Sequence, residues 1–490
     1  MEPAADTETT AIALRSERVS PGFLQRVSRD FARAHLLLSQ GREGQIEILV
    51  VSETTDPAAV FNVGVQLGLE ARAVLADGEA IARMIDEVYG EHAELLGTDT
   101  LEVDDEQVIE RLLEGVDRDL LSTQGKGPLV QFVDSLLFEA LGRGASDVHV
   151  QPLCDRTLVR VRVDGALHNV REIPSTLAKA IVSRIKVMGR MDIAERRIAQ
   201  DGRATVTIGD RAVDLRISTF PTSYGERAVV RLLDNTRQLR DLESLGMPAE
   251  LWHQFLGCAR ATKGIVLVTG PTGSGKTTTL YATLQQISSS ELNLMTIEDP
   301  IEYELSTLGL TISQAQVNAK KGITFATGLR HILRQDPDVV LVGEIRDEET
   351  ARMAIQSSLT GHLVFSTLHT NDATSAIHRL IDLGVEPYLL SSSLSAVLAQ
   401  RLVRLTHDAC EGRGCDTCFG TGLFGRTGIF ELMTVDEEIR SLIARRGSLA
   451  EFRRAARAGG MTTLQEQGQR LVEAGKTSAA EIARIVEAEA

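Results

Sequence analysis

Residues 270–277 read Gly270-Pro271-Thr272-Gly273-Ser274-Gly275-Lys276-Thr277, a complete Walker A loop. It ends the apolar run Ile265-Val266-Leu267-Val268 and opens a helical stretch through Leu280 and Leu284. Such a loop works only between a strand that delivers it and a helix that leaves it, because its N–H groups and the positive helix end must converge on one anion. Lys276 is then placed to reach the β- and γ-phosphates of a nucleotide, and the Thr277 hydroxyl to ligate Mg²⁺. All eight residues of the loop are cofactor-binding candidates.

Strand candidates Ile265 to Thr269, Leu294 to Glu298, Val339 to Glu344 and Leu363 to Leu368 alternate with helical stretches, as a parallel sheet requires. At 490 residues the chain is too long for one core, so roughly two to four domains are expected. The expected fold is α/β: a RecA-like P-loop ATPase core, preceded by an α+β domain and a small acidic α/β N-terminal domain. The division is 1–105, a linker at 106–128, a second N-terminal domain at 129–235, the ATPase domain at 236–405, a cysteine-rich loop at 406–427 and a helical region at 428–490.

In the first segment the spacing of Leu24, Val27, Phe31 and Ala34 predicts a helical face over 20–40, followed by a strand at 45–52, a helix at 58–67, a strand at 71–75 and a helix at 80–89. That apolar face serves as a docking surface or as packing for the small domain, and packing is the default. In the second domain a helix is expected at 129–141, with strands at 158–163 and 213–218. The net charge of -16 is concentrated in residues 1–130, with about 25 acidic against 11 basic side chains. An acidic surface there argues against nucleic acid or an anionic membrane as partner. The absence of a long apolar span and of a signal-peptide core predicts a cytosolic protein.

Further chemistry lies at the expected strand ends, where open parallel sheets bind ligands. Glu344 closes Val339-Val340-Leu341-Val342-Gly343 and suits a Walker B-type role, polarising water or acting on Mg²⁺ through water. Glu298 and Asp299, in Thr296-Ile297-Glu298-Asp299-Pro300-Ile301-Glu302, can position water or magnesium, or simply end a strand in an Asp-Pro turn. His369, in Ser366-Thr367-Leu368-His369-Thr370-Asn371, can sense a γ-phosphate or be structural.

Three of the five cysteines crowd between Cys410 and Cys418. His407-x-x-Cys410 and Cys415-x-x-Cys418 are two ligand pairs of equal spacing, which satisfy a tetrahedral zinc site. The alternative is a glycine-rich loop with free thiols. Cys154 and Cys258 read as isolated buried cysteines.

Together the Walker A loop, the Glu298-Asp299-Pro300-Ile301-Glu302 box, the Leu333–Asp347 stretch and Gly361-His362-Leu363-Val364-Phe365-Ser366-Thr367-Leu368-His369 resemble the secretion ATPases of type II secretion and type IV pilus assembly. The resemblance extends upstream to Gln200-Asp201-Gly202-Arg203, Asp214–Thr219, Gly225-Glu226-Arg227 and Ala145-Ser146-Asp147-Val148-His149, with Gln151 where the family usually has glutamate. It implies Mg²⁺-dependent ATP hydrolysis in a homohexamer. It also nominates Arg203, Arg216 and Arg227 to neutralise phosphate charge, against the alternative of surface pairs with Asp201, Asp214 and Glu226. Assembly-type members carry paired Cys-x-x-Cys motifs with a longer insert, and His407 stands here for one cysteine. Residues 20–100 resemble the module that docks on an inner-membrane platform protein, which implies peripheral association with that membrane through partners. The module and the cysteine loop both argue against a retraction-type pilus motor, which resembles the core but normally lacks them, and the expected function is to power pseudopilus assembly in type II secretion. Type IV pilus assembly and a nucleotide-gated scaffold with little turnover are the alternatives.

Overall fold

The computed structural model describes residues 19–95, apart from 21, 22, 25, 26, 28, 44, 45, 53 and 68, and residues 127–486, apart from 209, 210 and 235–240. The chain divides into two compact units, 1–114 and 115–490. The expected linker at 106–128 lies outside the described residues, its last two excepted.

In the first unit, α1 (Arg29–Ala34), β1 (Leu37–Glu43), β2 (Ile46–Val51), α2 (Pro57–Leu67), β3 (Glu70–Leu75) and α3 (Gly78–Leu95) follow one another. The sheet order is β1-β2-β3, with β1 antiparallel to β2 and β3 parallel to it. The helix expected to run to residue 40 ends before β1. Leu36 turns the backbone left-handed, with φ 46°, and Leu37 and Leu38 enter the sheet fully buried. Phe23 and Val27 are buried in the core with Leu49 and Ile81, and Leu24 and Phe31 pack against it. Ala34 is exposed. The apolar face of this segment is therefore mostly committed to packing.

The second unit begins with α4 (Pro128–Gly142), β4 (Asp147–Pro152), β5 (Arg156–Val163), β6 (Ala166–Pro174), α5 (Ser175–Met188), β7 (Gln200–Ile208), β8 (Arg211–Thr222) and β9 (Gly225–Asp234). These strands form an antiparallel sheet in the order β6-β5-β4-β9-β8-β7. Alternation sends Val148, Val150, Ile217 and Val230 to one face, where Val133, Leu136, Ile181 and Ile185 of α4 and α5 cover them. The opposite pleat carries His149, Arg160, Arg203, Arg216, Arg227 and Arg231, so this sheet has one apolar and one strongly basic face.

Then come α6 (Ala249–Ala259), β10 (Gly264–Thr269), α7 (Lys276–Ile287), β11 (Leu294–Glu298), β12 (Ile312–Gln316), α8 (Phe325–Ile332), β13 (Val339–Val342), α9 (Glu348–Leu359), β14 (Leu363–Leu368), α10 (Ser375–Asp382), α11 (Pro387–Ser393), β15 (Leu394–Thr406) and β16 (Leu423–Thr434). The seven-stranded sheet has the order β12-β11-β13-β14-β10-β15-β16, parallel except for the last pair. Every residue of β10, β13 and β14 is buried because both faces are covered. Ile265 and Leu267 point into one core with Leu329, Ile355 and Ile377, while Val266 and Val268 point into another with Phe255 and Leu280.

Four helices close the chain: α12 (Glu437–Ala444), α13 (Leu449–Ala458), α14 (Leu464–Glu473) and α15 (Ala479–Val486). The region expected to be helical from 428 is strand up to Thr434, and the cysteine loop is the tip of the β15–β16 hairpin. Residues 394–406 and 423–434 complete the seven-stranded sheet because they pair with each other across that tip.

Candidate active site and metal centre

The phosphate loop leaves the carboxyl end of β10, between β14 and β15 in the sheet. Gly270, Gly273 and Gly275 hold φ of 148°, 80° and 87°, in the left-handed half of conformational space that favours glycine. Gly275 caps α7, so the free N–H groups of the helix face the loop. Lys276, 8% exposed, donates from Nζ to the carbonyls of Gly270 at 2.8 Å and Pro271 at 3.0 Å. Burial pulls its ammonium down to about 8, Glu344 offsetting part of the loss and Arg401 adding to it. The Ser274 hydroxyl is buried without a hydrogen-bond partner. A desolvated cation and an orphaned donor in a loop of N–H groups are features that suit an anion.

Glu344 follows β13, its side chain 14% exposed, with Arg346 on one carboxylate oxygen and His369 Nε2 at 3.2 Å from the other. The strand ends are sewn together here: Ile345 N–H donates to Thr367 O at 3.0 Å, and the Thr367 hydroxyl to Gly343 O at 2.7 Å. Thr370 N–H donates to Thr269 Oγ1 at 2.8 Å, which joins the segment carrying His369 to the base of the phosphate loop. Asp299 is exposed and close enough to Arg346 to favour its charge.

Glu298 stands apart from its neighbour, only 3% exposed. The Tyr281 hydroxyl donates to one of its oxygens, while Thr296 Oγ1 at 2.6 Å and Gln314 Nε2 at 3.0 Å donate to the other. Burial, with Glu298 beside it, pushes the Tyr281 phenol well up, so Tyr281 stays a donor. Nothing in the spacing of Tyr281 signalled this role.

Arg216 reaches across from β8 and donates to Ile301 O at 3.4 Å, beside the acidic box. Arg203 lies opposite it on β7, and both line a cavity of 780 Å³ with Glu302 and Tyr303. Arg227 instead meets His149 Nδ1 at 3.0 Å. Burial and Arg227 pull the His149 imidazole down to about 4, so it is neutral and can accept. Of the carboxylates offered as alternative partners, Glu226 pairs with buried Lys186, and Asp214 accepts from Thr205 Oγ1 at 2.6 Å. Arg231, opposite Arg216 and paired with Asp147 at 3.0 Å, is a further arginine of this face that motif reading passed over.

At the hairpin tip the ligand atoms of His407, Cys410, Cys415 and Cys418 lie within 4.8 Å of one another, and the cysteines are free thiols. The separations are 3.9 Å for Cys410–Cys418, 3.7 Å for Cys415–Cys418, and 3.3 and 3.4 Å from His407 Nδ1 to Cys410 and Cys415. Tetrahedral bonds of about 2.3 Å to sulfur and about 2.0 Å to nitrogen put sulfur–sulfur and sulfur–nitrogen pairs roughly 3.8 and 3.5 Å apart, so this donor set fits a closed four-ligand metal site. Burial raises the Cys418 thiol, but N–H donors from Cys415 and Gly422 outweigh it and bring the group to about 6. The next residue, Phe419, stacks on His168 at 4.3 Å under the Arg143 guanidinium. Asp164 accepts from Gly425 N–H at 2.6 Å, so the loop is docked on the antiparallel sheet. Contrary to expectation Cys154 is exposed, in the turn between β4 and β5, and Cys258 is half-buried.

A parallel sheet covered on both faces, with a glycine loop on one central strand and a carboxylate after its neighbour-but-one, defines a RecA-like P-loop nucleotide-binding protein. The family model described as Type II/IV secretion system protein matches residues 122–484, and the chain belongs to that family. It is 48% identical over 406 residues to type II secretion system protein HxcR of Pseudomonas aeruginosa, covering 81% of this chain and 85% of that one. With type II secretion system protein E of Klebsiella pneumoniae the identity is 44% over 484 residues, covering 93% and 96%. Among solved structures, the pilus retraction motor PilT with bound ADP aligns with a TM-score of 0.52 and 27% identity, over 72% of this chain and 96% of that one. No helix among the described residues is long and apolar enough to cross a membrane.

Proposed function

We propose that this chain hydrolyses ATP with Mg²⁺ and so powers pseudopilus assembly in type II secretion. The observation that carries the reading is Glu344, a largely buried carboxylate beside the phosphate loop and held by His369 and Arg346. In this role Glu344 orients the attacking water and accepts its proton, and Lys276 balances phosphate charge. Thr277 Oγ1 would hold Mg²⁺, with the Asp299 carboxylate positioning the ion or water and Glu344 acting on it through water. The ion supplies charge neutralisation on the phosphates. Glu298, with its oxygens engaged, positions the acidic box, while Arg203, Arg216 and Arg227 supply positive charge from the antiparallel sheet. The domain division set out from the sequence is retained for residues 129–405, with the cysteine loop as an insertion in the last hairpin of the ATPase domain.

The metal of the hairpin tip is zinc, because three thiolates and an imidazole are its characteristic donors, and all four positions are filled by protein. It is structural. The working form is a homohexamer at the cytoplasmic side of the inner membrane, bound through the acidic N-terminal unit to a platform protein. Replacing Glu344 with Gln keeps the shape and removes the charge. Nucleotide binding survives in Glu344→Gln while phosphate release falls at least ~100-fold. Near-wild-type turnover in purified, oligomeric variant would remove Glu344 from this role.

A further inference from the structure

We propose that Arg401 is a positioning residue of the phosphate loop, packed against Gly270 while bonded to the segment after β14 that carries His369. The proposal rests on the reading of residues 270–277 as a nucleotide-phosphate site. Strand β15 is mostly apolar, yet Gln400 and Arg401 in its middle are 1% and 5% exposed. Burying an amide and a guanidinium is costly unless their hydrogen bonds are made, so the contacts they make are informative.

The register explains their position. Thr269, the last residue of β10, pairs with Ala399, so Gln400 and Arg401 run on beside the start of the phosphate loop. Gln400 Oε1 accepts from the Thr279 hydroxyl of α7 at 2.7 Å. A Cβ on Gly270 would collide with Gln400 O, and one on Gly275 would lie 2.9 Å from Gln400 Nε2. Two of the loop's glycines are thus required by the backbone and side chain of one residue of β15.

Arg401 extends that support to the other side of the site. Its Nη2 donates to Asn371 O at 2.8 Å and its Nη1 to Gln400 O at 3.2 Å. Nη1 also lies 3.1 Å from the place a Cβ on Gly270 would occupy. One planar guanidinium therefore joins the backbone of β15 at Gln400 to the chain two residues beyond His369, and lies against Gly270. A lysine could hold one of these carbonyls but lacks the rigid fork that holds both. The charge also reaches Lys276: its ammonium is faced by Arg401 from β15 and by Glu344 from the end of β13, and Glu344 in turn contacts His369 and Arg346.

The test uses full-length Arg401→Lys and Arg401→Gln, with a fluorescent ATP analogue titrated from pH 7 to pH 10 and kcat measured separately. Both variants lose the bridge, and kcat falls between about 10-fold and 100-fold, the scale for misplacing reacting groups by up to an ångström. Arg401→Gln, which removes a cation next to Lys276, moves the alkaline midpoint of analogue binding above its wild-type position near 8, whereas Arg401→Lys leaves it there. A role confined to fold stability moves neither midpoint. Unchanged midpoints, or kcat within twofold of wild type in Arg401→Lys, would overturn the proposal. Should Arg401→Gln fail to fold by its melting curve, the kcat of Arg401→Lys decides. Wild-type protein that binds no analogue would instead sink the nucleotide reading itself.

Discussion

The Lys276 ammonium titrates near 8 in the free chain because burial strips its water faster than Glu344 can compensate. A phosphate group beside it favours the charged form, so the nucleotide binds the protonated loop and raises the folded pKa. Affinity is therefore full below pH 8 and lost as pH rises through the free-state value. With a free-state pKa of about 8, the protonated fraction falls from about nine-tenths at pH 7 to about one-tenth at pH 9, a weakening of about 10-fold in Kd. Isothermal titration of a non-hydrolysable ATP analogue with Mg²⁺ at several pH values measures it. Buffers of different ionisation enthalpy report the accompanying proton uptake. Lys276→Arg stays charged throughout this range, so its Kd is weaker but flat. A wild-type Kd constant between pH 7 and pH 9, or a slope that persists in Lys276→Arg, would refute the assignment of the limb to Lys276.

Elemental analysis of protein purified without chelator finds about one zinc per chain, and Cys415→Ser loses it. Loss of the metal frees Phe419 from His168 and raises hydrogen exchange over residues 416–426 before basal ATP hydrolysis disappears; zinc-free wild-type protein would reject the site. Because Arg216 reaches the acidic box only from the antiparallel sheet, specific activity rises with protein concentration as assembly fixes the two sheets together. Activity independent of concentration in protein shown by light scattering to stay monomeric would exclude this dependence.

The central strands were readable because a parallel strand covered on both faces needs no polar residue, so β10, β13 and β14 are plain apolar runs. Strand β15 was not readable, since Gln400, Arg401 and Arg404 interrupt it. Its partner β16 is separated from it by the whole cysteine loop. Strand β1 was hidden for a different reason: a run of leucines suits a buried helix or a buried strand, and the left-handed turn at Leu36 decides between them. The alternation Asp214, Arg216, Ser218 against Leu215, Ile217 shows that β8 has a polar face, but not which arginine meets Ile301.

What the residues alone determine here is local: glycines where the phosphate loop turns left-handed, an apolar strand before it, and cysteine spacing short enough for one turn to present two thiols. These features depend on backbone conformation and neighbours a few residues apart, so they survive without knowledge of the fold. The arrangement around them is set by contacts between residues distant along the chain. Thr269 meets Thr370 and Arg401 meets Asn371 only because β10 lies between β14 and β15. Phe419 meets His168 only because the β15–β16 hairpin carries its tip to the antiparallel sheet. Such contacts pair side chains and backbone groups whose local sequence would accept many partners, and it is the order of strands in the sheet that selects one.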